Sequence, residues 1–336
     1  MLQQTTVAVV EQYFEKFVRR WPRIEDLAAA DLDEVLLAWE GLGYYARARN
    51  LHNCAQVVRD VHRGQFPQTE NSLRQLPGVG GYTAAAIAAI AFARPASPVD
   101  GNIMRIIARL FAVETEMPRG RAAIQSLAQE LTPAARPGDF AQALMDLGAT
   151  ICKPRRPDCG RCPLRAMCAA TATGNPERYP IKAIKKPRPH LHGTAFWIAD
   201  GQGAVLLRRR PKAGLLGGMM EIPSTEWRAQ PWRLDELPDA APVQTRWRPL
   251  RGTVSHGFTH FTLELSIVTG TTAATPAAGC IWWQVDNLDR QPLPTLMRKA
   301  VALALSSLAL SGPGGRAPSD GDARGGQRDI PGLEAV

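Results

Sequence analysis

The tightest constraint on this 336-residue chain is a run of four cysteines, Cys152-x6-Cys159-x2-Cys162-x5-Cys168. Thiolates are the ligands that a cubane iron–sulfur cluster needs, and four this close in sequence can wrap one cluster. Zinc is the rival, although zinc ribbons usually pair two C-x2-C knuckles across a longer spacer and only one such pair exists here. The compartment favours ligands over disulfides. Met1-Leu2-Gln3-Gln4 has neither a charged n-region nor an apolar h-region, and no apolar run is long enough to span a bilayer, so the expectation is a cytosolic, reducing environment with no membrane partner. Cys54 sits on a helical apolar stripe and reads as a core residue; Cys280 is isolated.

Length suggests two domains. From Thr5 to about Ala170 the apolar period is helical: Val7, Val10, Phe14 and Phe17, then Leu32, Val35, Leu36 and Trp39, then Leu51, Cys54, Ala55 and Val58, then Ile103, Ile106, Ile107 and Leu110. Thr83–Ala93 is apolar on nearly every side and predicts a buried central helix. Residues 171–192 change character: Pro176, Pro180, Pro187 and Pro189 among Lys182, Lys185, Lys186 and Arg188 read as an extended basic linker. Beyond it the period becomes two. Phe261, Leu263, Leu265 and Ile267 alternate with polar residues, Ala195–Ala199, Ala204–Arg208 and Ile281–Val285 are further strand candidates, and Pro294–Leu310 closes as a helix. Residues 311–336 are rich in Gly, Pro, Arg and Asp and predict a disordered tail. The fold class is therefore α+β: an all-α domain over 1–170 with its cysteine loop at 152–168, then an α/β domain over 193–310.

A net charge of +9 is compatible with a polyanionic partner or with a solvated surface. Lys153, Arg155, Arg156, Arg161 and Arg165 stud the cysteine loop, where a folded cluster would project them toward phosphates. Leu76-Pro77-Gly78-Val79-Gly80 precedes the apolar helix; such a turn offers outward N–H groups and a helix N-terminus to a phosphate, although a plain turn explains the string equally well. Pro98-Val99-Asp100-Gly101-Asn102 opens another amphipathic helix, and Asp100 reads first as its N-cap.

Taken together, the cysteine spacing, the hairpin string and the aspartate some twenty residues after it resemble the helix–hairpin–helix, endonuclease III superfamily of DNA glycosylases. The resemblance implies a [4Fe-4S] cluster on Cys152, Cys159, Cys162 and Cys168, a hairpin (Gly78, Val79, Gly80) that grips the DNA backbone, and Asp100 as the catalytic carboxylate. A carboxylate suits that role because the sugar becomes cationic as the base leaves. Strand-cleaving members place a lysine two residues after the hairpin's last glycine; here that position is Tyr82, which cannot form a Schiff base.

Asp100-Gly101-Asn102, the string Gly41–Asn50 and Met1–Thr5 resemble the adenine DNA glycosylase branch. That likeness implies that Gln4 and Tyr44 wedge into the base stack with Gln3 beside them, that Asn102 and Tyr82 line the base pocket, and that Arg47 and Arg49 contact the backbone. Phe258-Thr259-His260 stands where the family carries a Phe-Ser-His loop, in a Nudix-like domain that checks for 8-oxoguanine opposite the adenine, and Leu215–Pro223 resembles its glycine-rich stretch. The Nudix catalytic box is absent, so the domain reads as a binder. The implied function is monofunctional base-excision repair of adenine opposite 8-oxoguanine or guanine, by a monomer on the nucleoid. The family's general-acid glutamate lies two positions before the Met-Leu-Gln-Gln string, and the sequence begins at that methionine. The alternative expectation is therefore an impaired copy that binds the mismatch and excises slowly or not at all.

Overall fold

The computed structural model describes residues 1, 7–184, 187–212, 214–276 and 279–310. Gln3, Gln4, Lys185, Lys186 and the tail from 311 lie outside the described residues.

The first half is helical: α1 (Val7–Arg20), α2 (Ile24–Ala29), α3 (Leu32–Ala38), α4 (Ala46–Asp60), α5 (Glu70–Leu73), α6 (Gly81–Phe92), α7 (Gly101–Leu110), α8 (Arg121–Leu131), α9 (Pro137–Thr150) and α10 (Ala169–Ala172). The apolar stripes largely meet where the period places them: Val35, Leu36 and Trp39 pack with Ala48 of α4, while Cys54 and Val58 face Ala84, Ala85 and Ala88 of α6. Two readings need correction. In α1 only Val10 and Phe17 are buried, and Val7 and Phe14 are exposed, because only one edge of the stripe meets the core. Helix α6 is not enclosed on all sides. Its alanine face is pressed so closely by α9 that a Cβ on Gly138 would stand 2.6 Å from the Ala89 carbonyl oxygen, yet Ile90 on its other side is 46% exposed.

The second half is one mixed sheet of β1 (His190–Ala199), β2 (Ala204–Arg209), β3 (Met220–Glu221), β4 (Arg248–Gly257), β5 (Thr262–Thr271) and β6 (Cys280–Gln284). The order is β3-β2-β1-β5-β4 with β6 on β2; β1 and β5 run parallel and the other pairs antiparallel. Helix α12 (Thr295–Leu310) covers one face through Leu296, Met297 and Ala300. The short α11 (Leu237–Ala240) covers the other, over Phe196 and Ile198. The segment expected to be an extended basic linker is docked in part. Tyr179 is buried in the helical core, the Met117 amide donates to the Ile181 carbonyl at 2.8 Å, and β1 already begins at His190.

The two halves interlock. Met219, fully buried, belongs to the same cluster as Trp39, Leu42 and Tyr45 of the helical half. Arg209 makes a two-pronged ion pair with Asp33 at 2.8 and 2.6 Å, and Arg298 another with Glu40 at 2.6 and 3.0 Å. Arg49 donates to the Gly217 carbonyl. The glycines here are obligatory: a Cβ on Gly217 would collide with the Lys212 carbonyl oxygen, and Gly218 sits at φ +73°.

Candidate active site

The hairpin between α5 and α6 is a tight turn closed by the Val79 amide donating to the Leu76 carbonyl at 3.1 Å. Gly78 holds φ +76°, and a Cβ there would stand 2.5 Å from Asn50 Cβ, so glycine is needed both for the turn and for its approach to α4. Gly80 caps α6, whose first turn carries no acidic side chain, and Gly78, Gly80 and Gly81 are exposed. Free N–H groups and the positive end of the α6 dipole thus face outward, the arrangement that receives a phosphate.

Tyr82, one residue into α6, is 40% exposed. Burial and the nearby Asp100 carboxylate both raise its phenol pKa, so the hairpin helix and the aspartate are electrostatic neighbours. Asp100 is the N-cap of α7, its Oδ1 accepting from the Ile103 amide at 2.7 Å, and it is half-buried. The cap fixes the carboxylate in place at the N-terminus of α7. The bland and the functional readings of Asp100 therefore describe one geometry.

Asn102 and the cysteine loop are joined by a residue that sequence reading passed over. Arg105, buried, donates to Asn102 Oδ1 at 2.9 Å, to the Gly148 carbonyl at 2.6 Å and to the Cys152 carbonyl at 2.7 Å. One turn on, Arg109 is 2% exposed and donates to the carbonyls of Lys153 (2.8 Å), Pro154 (3.1 Å) and Tyr179 (3.2 Å) and to Cys152 Sγ (3.2 Å). A helix with arginines at i and i+4 on its apolar side was the available signal, since an unpaired arginine is rarely buried.

Cys152, Cys159, Cys162 and Cys168 are all half-buried thiols, and the charges of the other three all act on Cys162. Four thiols within one loop are the donor set a [4Fe-4S] cluster takes, and the Arg109 guanidinium, 3.2 Å from Cys152 Sγ, would offset thiolate charge there. Lys153, Arg155, Arg156, Arg161 and Arg165 are all exposed around this loop.

Tyr44 stands at φ +46°, half exposed, and its hydroxyl lies 3.0 Å from Thr259 Oγ1 in the second domain. Thr259 and His260 form the exposed tip of the turn between β4 and β5, closed by the Phe258 amide on the Phe261 carbonyl at 2.8 Å. Phe258 and Phe261 anchor the turn against Trp227. Arg47 and Arg49, expected at the DNA backbone, have partners within the protein. Arg47 donates to the Leu42 and Met1 carbonyls at 2.9 and 3.0 Å and lies over the Trp39 and Tyr44 rings, and Arg49 reaches Gly217. The glycine-rich stretch Leu215–Pro223 carries the Met219 knob and, at its end, buried Glu221, paired with Arg208 and Arg210. Its role here is structural.

Three family descriptions match in chain order: a HhH-GPD superfamily base excision DNA repair protein over residues 1–134, an iron-sulfur binding domain of endonuclease III over 152–168, and a NUDIX domain over 194–303. Fold and site thus define a helix–hairpin–helix repair protein with a [4Fe-4S] loop and a Nudix-like unit. The adenine DNA glycosylase of Rattus norvegicus is 35% identical over 356 residues, 89% of this chain and 69% of that protein; for the one of Homo sapiens the figures are 35% over 362 residues, 89% and 65%. The chain belongs to the adenine DNA glycosylase family, and spans about two thirds of the length of these two relatives. A solved thermostable thymine-DNA glycosylase is 32% identical, covering 51% of this chain and 80% of its own, with a TM-score of 0.48.

Tyr82 yields a direct expectation. A phenol forms no imine, so borohydride treatment of the protein with lesion duplex should trap no covalent adduct. A trapped adduct mapping to the start of α6 would overturn this.

Proposed function

We propose that the chain is a monofunctional adenine DNA glycosylase, acting as a monomer at the nucleoid on adenine paired with 8-oxoguanine or guanine. The observation that carries this reading is the Asp100 carboxylate, locked at the N-terminus of α7 beside Tyr82 and next to the phosphate-ready hairpin. Hydrolysis of an N-glycosidic bond leaves positive charge on the sugar, and a fixed carboxylate stabilises it without reorganising. The adenine would be flipped out at a cost of a few kcal/mol, with Asn102 and Tyr82 lining its pocket. The hairpin N–H groups and the exposed cations of the cluster loop would hold the backbone, contacts that set register and carry no sequence information. Tyr44 and Thr259, already in contact, would meet the lesion from the two halves, with Gln3 and Gln4 beside them. Single-turnover assays on duplexes with adenine opposite 8-oxoguanine should give alkali-labile abasic product, and intact strands on adenine opposite thymine. Equal excision from both duplexes, or from neither, sinks the proposal.

The turn at 258–260 would supply the 8-oxoguanine check. Deleting the second domain is a poor test, because it strips Met219 from the Trp39 cluster. Thr259→Ala combined with His260→Ala leaves the Phe258 and Phe261 anchors in place. The preference for adenine opposite 8-oxoguanine over adenine opposite guanine should shrink by about tenfold, within the ~1–3 kcal/mol of one base-pair readout. An unchanged binding ratio in the double variant would remove these residues from recognition.

A further inference from the structure

The parallel register of β1 and β5 sets His190 opposite Thr262 and His192 opposite Glu264. Residues two apart on a strand share a face, so both imidazoles and the Glu264 carboxylate project from the same side of the sheet. His190 Nε2 lies 3.4 Å from Glu264 Oε2, and the two imidazole rings meet edge to face at 4.7 Å between centroids. One ligating atom from each of the three residues falls within 4.8 Å of the other two, the only such His, Cys, Asp or Glu set among the described residues. The same face of β1 continues as Thr194, Phe196 and Ile198, all buried, so the three ligands stand at the solvent-open end of an apolar surface.

The outer contacts fit as well. His190 Nδ1 is 2.8 Å from Thr262 Oγ1. When Nδ1–H donates to that hydroxyl, Nε2 turns its lone pair toward the carboxylate oxygen. Two acceptors then face one another across a gap that a cation would fill. For the His190–Glu264 pair, 3.4 Å is the ligand-to-ligand distance of a tetrahedral centre with bonds of ~2.0–2.1 Å; His192, within 4.8 Å of both, would close in to make the third bond. We propose that His190, His192 and Glu264 bind one divalent transition-metal ion of zinc's preferences, through two imidazole nitrogens and one carboxylate, with water in the open position. Thr262 is the outer partner that fixes the His190 tautomer. The ion would tie β1 to β5 at the root of the 258–261 turn, where the Thr262 amide already donates to the Pro189 carbonyl at 2.9 Å. This site is separate from the four cysteines and rests on none of the catalytic residues.

A proton on His190 would satisfy the same pair without any metal, and calorimetry separates the two. The full cluster-loaded protein, free of any histidine tag, is titrated with zinc chloride. The expected result is one saturable equivalent, with iron and sulfide content unchanged. His192→Ala and Glu264→Gln should each weaken binding by at least ~100-fold, and Thr262→Val by about 10–100-fold, the usual cost of losing an outer-shell partner. Absence of a saturable equivalent, or equal affinity in the wild type and in Glu264→Gln, overturns the site. Glu264 is half exposed and its amide is isosteric, so that variant decides the matter even if His192→Ala misfolds.

Discussion

Asp100→Asn should lower single-turnover adenine excision by on the order of 10²–10³-fold, the scale at which removing one transition-state charge partner is felt. Asparagine caps a helix as well as aspartate does, so the contact to the Ile103 amide at 2.7 Å survives the change. Stability and duplex affinity should therefore hold, and the loss should appear in the chemical step alone. A variant that excises within a few-fold of the wild type would show that the carboxylate serves α7 as a cap and nothing more. Asp100→Ala would confound the two roles, because it also removes a cap worth about 1 kcal/mol.

The second large effect is expected from a residue that touches no substrate. Arg109→Met keeps roughly the side-chain length but strands the buried Tyr179 carbonyl and the part-buried carbonyl bonds of Lys153 and Pro154, and withdraws a donor from Cys152 Sγ. The orphaned buried acceptor at Tyr179 costs ~1–3 kcal/mol and the two part-buried ones less, so the total should reach about 3 kcal/mol. For a domain of this size that is a fall in Tm on the order of 10 °C. Iron and acid-labile sulfide should fall with it, because Arg109 holds the start of the loop that supplies the first ligand. Full iron content with an unshifted melting curve would contradict this account. Arg105→Met should differ in kind, loosening Asn102 and the start of α7 as well as the loop, and so slowing excision even in molecules that retain the cluster.

What sequence reading could see was local. The cysteine spacing, the hairpin glycines, the Asp100 cap and the alternation of β5 are each complete within a dozen or so residues, and each stands where it was expected. Strand β4 escaped because Arg248, Pro249, Arg251 and Gly252 give no alternation. It is an edge strand with an irregular register between Pro249 and Thr253, where the ladder makes the fewest demands on composition. Arg105 and Arg109 look like solvated charges in a string, and apart from Gly101 and Asn102 beside Arg105 their partners lie 43 or more residues away. For Arg47 and Arg49 the string suggests phosphate and does not show the carbonyls that the fold also brings to them. Met219 could not be placed at all, since an apolar residue after two glycines says nothing about whose core it enters. The His190, His192 and Glu264 set depends on a strand pairing of 72 residues' separation, which no spacing rule reveals.

That entry of Met219 into the Trp39 cluster has a consequence for how the protein comes apart. A side chain from one unit that completes the interior of the other makes their unfolding free energies coupled quantities, so neither half has a stability of its own to quote. Losing the Nudix-like sheet opens a hole beside Trp39, Leu42 and Tyr45, and losing α3 and α4 leaves the Met219 knob in water. Heat or denaturant acting on one half is thereby transmitted to the other. A substitution far from the DNA, in the heart of the sheet, reaches the glycosylase through the melting equilibrium.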